Sequence, residues 1–171
     1  ELNACLKFYK FYSEALKECD EVIEQRLKKY TPNTLVTEEQ EKTLKGYNRK
    51  KAKNAPEFNV SKTAFQYFKT DLFAISGISH NTVLCLMTNL GTDIKKFESA
   101  KAFASWLRLV PNNKISGGRI LSSRIRQGKN HIATALRQAA NSIGNQKNHD
   151  LSPFFKRIAF KKGRVAAITA T

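Results

Sequence analysis

The sequence predicts an all-α fold: a long coiled-coil helix or helical hairpin, then a compact multi-helix domain containing a helix-hairpin-helix-like turn. Three observations predict it. Apolar and aromatic residues repeat in heptads over the first thirty positions, helix-start signals recur through the second half, and no segment reads convincingly as a strand. With 41% hydrophobic residues, the 171-residue chain has enough apolar side chains to fold around a core instead of staying disordered.

Leu2, Tyr9, Leu16, Ile23 and Tyr30 recur every seven residues, with Cys5, Tyr12, Cys19 and Arg26 at the intervening positions. Steps alternating between three and four make a seam for helix pairing. Its Tyr, Cys and Arg content suits an antiparallel hairpin or a dimer of modest stability. Pro32-Asn33 ends that helix, and Thr37-Glu38-Glu39-Gln40 has the form of a capping box opening a short helix to about Tyr47. Residues 1–47 thus read as a coiled-coil segment and 48–57 as a basic linker, because NRKKAKNAP (48–56) concentrates cations and breakers.

Residues 58–171 read as short helices joined by tight turns. Ser61 is placed to cap a helix whose apolar face is Phe65, Phe68 and Leu72, and Ile75–Ser79 is a turn. Asn81–Leu90 is an apolar helix ended by Gly91. Ser99 caps Ala100–Leu109, with Phe103, Trp106 and Leu107 toward the core, and Pro111–Gly118 is a loop. Lys129–Ile143 is a helix carrying Ile132, Ala135, Leu136, Ala139 and Ile143 on one face. Ser152-Pro153 opens another helix through about Lys161. The chain begins without Met and its last residues, Arg164–Thr171, end without a cap or breaker, so the expectation is a piece of a longer protein.

Charge narrows the function class. Residues 1–98 carry 16 basic and 13 acidic side chains, whereas residues 99–171 carry 14 basic side chains against Asp150 alone, a net of +13. Self-repulsion on that scale calls for a polyanion. Nucleic acid fits better than a membrane surface, because the cations are spread over several segments instead of one amphipathic face, and no apolar run reaches the ~18–20 residues of a spanning helix. The opening Glu1-Leu2-Asn3-Ala4 lacks a basic n-region, so a signal peptide is not expected. Cys5, Cys19 and Cys85 show neither a disulfide framework nor a zinc spacing, and His80, His131 and His149 add no ligand pattern, so no metal site is expected; reduced thiols point to the cytoplasm.

Three constellations are candidates for binding or chemistry. Ile75-Ser76-Gly77-Ile78-Ser79 has the apolar-x-Gly-apolar form of a helix-hairpin-helix turn, whose backbone N–H groups bind DNA phosphate; a plain helix–helix turn reads equally well. In Lys114-Ile115-Ser116-Gly117-Gly118-Arg119, two glycines let the backbone approach an anion, while Lys114, Arg119, Arg124, Arg126 and Lys129 supply charge. A serine hydroxyl there can attack a phosphodiester, although on motif alone a glycine turn with solvated cations is the simpler reading. Arg126-Gln127-Gly128-Lys129-Asn130 opens a helix N-terminus suited to phosphate, or is simple capping by Asn130. A two-metal nuclease site cannot be assembled in the basic half, which has one carboxylate.

Taken in order, Asp71-Leu72-x-x-Ile75-x-Gly77-Ile78, Gly91-Thr92-Asp93, Phe97, Lys101-x-Phe103-Ala104-Ser105-Trp106-Leu107, Pro111–Gly118, Ala135-Leu136-Arg137-x-Ala139-Ala140 and Ala166–Thr171 closely resemble the C-terminal part of bacterial transposases of the IS-one-ten (IS-eleven-eleven) family. The preceding coiled coil also sits where that family has one. The resemblance implies an N-terminal RuvC-like domain, absent from this chain, that holds magnesium on carboxylates. It also implies a serine nucleophile forming a covalent phosphoserine link to DNA, a guide RNA, and a homo-oligomer held by the coiled coil. Carried over by motif, the nucleophile is Ser116, and this stretch alone is expected to bind nucleic acid without recombining it. The sequence departs from the pattern at Ser79, where the turn's second glycine would stand, and at Arg108, where glycine is usual. A left-handed backbone at Arg108 would cost on the order of 1 kcal/mol.

Overall fold

The computed structural model describes residues 1–31, 36–45, 55–91, 93–147 and 149–171, which fall into two compact units, 1–75 and 76–171. The Pro32-Asn33 break, most of the expected basic linker and Thr92 lie outside the described residues. Helices dominate both units, as the sequence predicts.

In the first unit, α1 (Leu2–Tyr30) is the long heptad helix, and Leu27 is its one buried residue. The seam residues Leu2, Tyr9, Leu16 and Tyr30 face solvent, Leu16 at 66% of its maximal exposure. Helix α2 (Glu38–Thr43) starts as the capping box requires: the Thr37 hydroxyl accepts from the Gln40 N–H and the Gln40 side-chain oxygen accepts from the Thr37 N–H, both at 3.3 Å. It stops at Thr43, short of the expected Tyr47, which lies outside the described residues.

Helix α3 (Val60–Phe68) is capped by Asn59, whose side-chain oxygen accepts from the Lys62 N–H at 3.0 Å. The sequence places Ser61 there instead; Ser61 is the second residue of the helix, buried, with its hydroxyl unpartnered. The buried face is Val60, Ala64 and Tyr67 above Phe73, while Phe65, Phe68 and Leu72 are only partly covered. Glu41 ties α2 to α3, pairing with Lys62 at 2.8 Å and accepting from the Asn59 amide. That carboxylate raises the Lys62 pKa above its ordinary value, the hydrogen bond contributing most.

The second unit is built around α6 (His131–Asn145). Against it pack α4 (His80–Leu90), α7 (Ser152–Lys162) and α8 (Arg164–Ala170). The core is Ile78, Val83, Leu86, Met87 and Leu90 with Leu107, Ile132, Ala133, Ala139, Ala140, Ile143, Phe155 and Ala167. The α6 face is therefore close to the one periodicity picks out, with Ala133 and Ala140 buried more deeply than Ala135 and Leu136. Small residues allow this closeness: a Cβ on Gly144 would stand 2.4 Å from the Phe155 ring.

Ser152 does not cap α7. It is wholly buried, and its hydroxyl donates at 2.8 Å to the Gln146 carbonyl just past the end of α6, so it staples two helices together. Helix α5 (Ala100–Trp106), capped by Ser99 as expected, ends earlier than the predicted Leu109. Its Leu107 is buried, but Trp106 is largely exposed and stacks with Phe97 and Phe103 instead of entering the core.

Among the described residues, strands depart from the all-helical expectation after α5. Lys114–Ser116 (β1) and Arg119–Ser122 (β2) form an antiparallel hairpin where the sequence reading has a loop. The arm continues below the hairpin through a Pro111–Ile125 bridge and an Asn112 N–H bond to the Arg124 carbonyl at 3.0 Å. Gly117 and Gly118 both have positive φ, +54° and +73°, as the two-residue turn matching strand twist demands.

Candidate functional site

The hairpin positions the central candidates. Ser116 lies opposite Arg119 as the pair closing the turn, and Ile115 lies opposite Ile120 on the next rung. Paired residues share a face and successive residues alternate. Ser116 and Arg119 therefore occupy one face, and Ile115 and Ile120 the other. A bulge follows on the second strand, where Leu121 is the extra residue before Ser122 pairs with Lys114. All of residues 111–121 are exposed. The Ser116 hydroxyl is thus open to a large substrate, on the same face of the hairpin as Arg119. The two glycines make the turn, which accounts for them without any ligand.

Arg124 and Arg126 lie on the return of the arm, and Lys129 is exposed just before α6. Asn130 caps that helix, its side-chain oxygen accepting from the Ala133 N–H at 3.1 Å. Among the described residues, no ion pair engages any cation beyond residue 98. The electrostatic attraction of this unit for an anion is therefore unspent.

Gly77 and Ser79 belong to a different part of the unit. Gly77 has φ +81°, and a Cβ there would lie 2.8 Å from the Ala139 carbonyl oxygen. Its glycine is thus used for close approach to α6. Ser79 caps α4, its hydroxyl accepting from the Thr82 N–H at 3.2 Å. Both residues are occupied in holding the turn and the helix start.

Arg108 adopts the left-handed conformation its position suggested, with φ +60°. It ends α5 in a Schellman motif: the Arg108 N–H bonds to the Ser105 carbonyl and the Leu109 N–H to the Ala104 carbonyl. The arginine side chain offsets part of that strain by donating to the Gln127 carbonyl, with its guanidinium lying where a Gly128 side chain would be. That side-chain bond ties the end of α5 to the root of the basic turn.

Beside that turn opens a cleft of about 640 Å³, walled by Arg126, Gln127 and Gly128, by Thr134, Arg137, Gln138 and Asn141 of α6, and by Val165, Ile168 and Thr169 of α8. Arg164 pins one end, donating to the side-chain oxygens of Asn141 and Asn145. Sequence reasoning missed this cleft. Its signal was the polar stripe Thr134, Arg137, Gln138, Asn141 at steps of three and four along α6, opposite the apolar one.

Among the described residues no group of His, Cys, Asp and Glu is placed to hold a metal ion, and no helix is long and apolar enough to cross a membrane. A family model described as Transposase IS116/IS110/IS902 family matches residues 70–156, spanning α4, α5, the hairpin, α6 and the first part of α7. No curated protein and no solved structure matches the chain.

Proposed function

Because the chain belongs to the IS116/IS110/IS902 transposase family, we propose that its second unit is the DNA-engaging part of the enzyme and that Ser116 is the nucleophile that cuts the strand. One observation carries the reading furthest: the family's matched segment contains an exposed serine on a hairpin, opposite Arg119, in a unit where, among the described residues, no cation beyond residue 98 forms an ion pair. In this reading the Ser116 oxygen attacks a backbone phosphorus, an Oγ–P bond forms, and the leaving strand departs with its hydroxyl. Arg119 and Lys114 balance charge on the phosphoryl oxygens. Among the described residues no carboxylate group is placed to hold magnesium. The carboxylates and metal are assigned, by resemblance, to a RuvC-like domain outside these residues.

By the same resemblance we propose a guide RNA as partner and assembly of copies through α1, whose heptad seam faces solvent. A cytoplasmic setting fits nucleic-acid work. Ser116→Ala, made in a protein that also carries the RuvC-like domain, is expected to abolish the covalent protein–DNA adduct and leave DNA affinity within about twofold, since no cation is removed. An adduct that persists in Ser116→Ala refutes the assignment.

The second reading, a non-catalytic nucleic-acid-binding module resting on the Ile75–Ser79 turn and the basic helices, predicts the same salt-sensitive binding but no adduct. The occupation of Gly77 and Ser79 in packing and capping weighs against that turn as its contact.

A further inference from the structure

We infer that the hairpin is a wedge: its Ile115–Ile120 face enters duplex DNA and unstacks the base step next to the phosphate that Ser116 attacks. The inference rests on the DNA-engaging reading above and adds how the substrate must be deformed.

The fold leaves Ile115, Ile120 and Leu121 in water at 62%, 61% and 70% exposure, on an arm that projects from the unit through a single ladder. Large aliphatic side chains are rarely gathered on so small a hairpin without a partner to cover them. Charge selects that partner. The arm and its return carry Lys114, Arg119, Arg124 and Arg126, and no acidic residue stands between Glu98 and Asp150. A protein surface covering the isoleucines would have to meet these cations, whereas duplex DNA offers phosphates to them and base steps to the apolar face.

A two-stranded ribbon has the width of a DNA groove. Isoleucine and leucine are among the side chains that proteins insert between base steps, unstacking them and kinking the helix. The two faces divide the work: the isoleucines hold the step open from one side, and Ser116 with Arg119 is directed to the flanking backbone from the other. Opening the step kinks the duplex and bends the flanking backbone, and its phosphate, toward the face that carries Ser116.

The test uses this chain, duplexes carrying a single 2-aminopurine at successive positions, and the variant Ile115→Thr/Ile120→Thr. Threonine keeps the β-branched shape that a strand favours, so the hairpin persists while its apolar face is lost. The native chain is expected to raise 2-aminopurine fluorescence at least about twofold at one step, as unstacking does. The double variant should bind with the same slope of log affinity on log salt but without that rise. Salt-sensitive binding that leaves fluorescence unchanged at every position overturns the wedge alone, as does a rise that survives in the variant. No salt-sensitive binding at all overturns the DNA-engaging reading with it. A variant that changes only the sedimentation of the free chain would show a second copy as the occupant, and the wedge falls.

Discussion

Gly144 occupies the last turns of α6, where helix propensity alone says that alanine is better by about 1 kcal/mol. The Phe155 ring lies where that Cβ would go, at 2.4 Å. A buried ring held also against Arg164 has little room to retreat, and overpacking of this kind costs about 1–3 kcal/mol. Gly144→Ala is therefore expected to destabilise the fold by a net of up to about 2 kcal/mol, read as a lower urea midpoint; a rise would mean that propensity outweighs packing. Asn130→Ala removes a cap bond from the same helix and should cost about 1 kcal/mol in the same assay. The thiols separate by environment. Burial pushes the Cys85 pKa up, leaving less thiolate near neutral pH, whereas Cys5 and Cys19 are exposed. Maleimide labelling followed by mass spectrometry should modify Cys5 and Cys19 first, with Cys85 catching up only as pH is raised. At this scale, local signals were legible where a side chain acts on its own neighbours. The Thr37 capping box, the Ser99 cap and the left-handed Arg108 all follow from chain-local geometry. Ser61 and Ser152 did not, because tertiary contacts decide their role: each is buried against another element instead of capping its own.

The hairpin shows what short elements conceal. Strands of three and four residues give no alternation to read, and their apolar residues face water, so neither period nor burial pattern marks them. The Gly117-Gly118 pair was the available signal, since such a pair between short β-compatible runs specifies a two-residue turn. Gly118→Val would force a β-branched residue to φ +73°. The expected result is loss of cross-strand amide protection in residues 114–122 by hydrogen exchange, with α6 and α7 protected as before; retained protection would contradict the turn assignment. Helix α1 was legible in full, because four heptads are a long-range periodic signal that tertiary context need not supply. Its paired state is a separate matter, since the seam lies open among the described residues. Leu16→Asp with Ile23→Asp should lower the sedimentation coefficient if copies associate through it, and leave it unchanged if they do not.

At the scale of the molecule, the asymmetry of charge is the most direct statement the chain makes. Affinity for duplex DNA is expected to fall linearly in log–log form with salt, and Arg126→Ala to reduce the slope by about one. The fold class and the basic unit were legible because composition and periodicity are properties of the whole sequence. The cleft beside α6 was not, because it needs α8 and the Arg126–Gly128 turn brought to one face of that helix. In the proposed reaction the exposed serine of the hairpin, Ser116, takes the phosphate. The most direct test is to trap the covalent adduct formed by the protein with its RuvC-like domain, digest it with trypsin and locate the nucleotide. Cleavage after Lys114 and Arg119 isolates Ile115–Arg119, in which Ser116 is the one hydroxyl, from Ile120–Arg124, which carries Ser122 and Ser123. The nucleotide is expected on Ile115–Arg119; its appearance on any other peptide would refute Ser116 as the nucleophile.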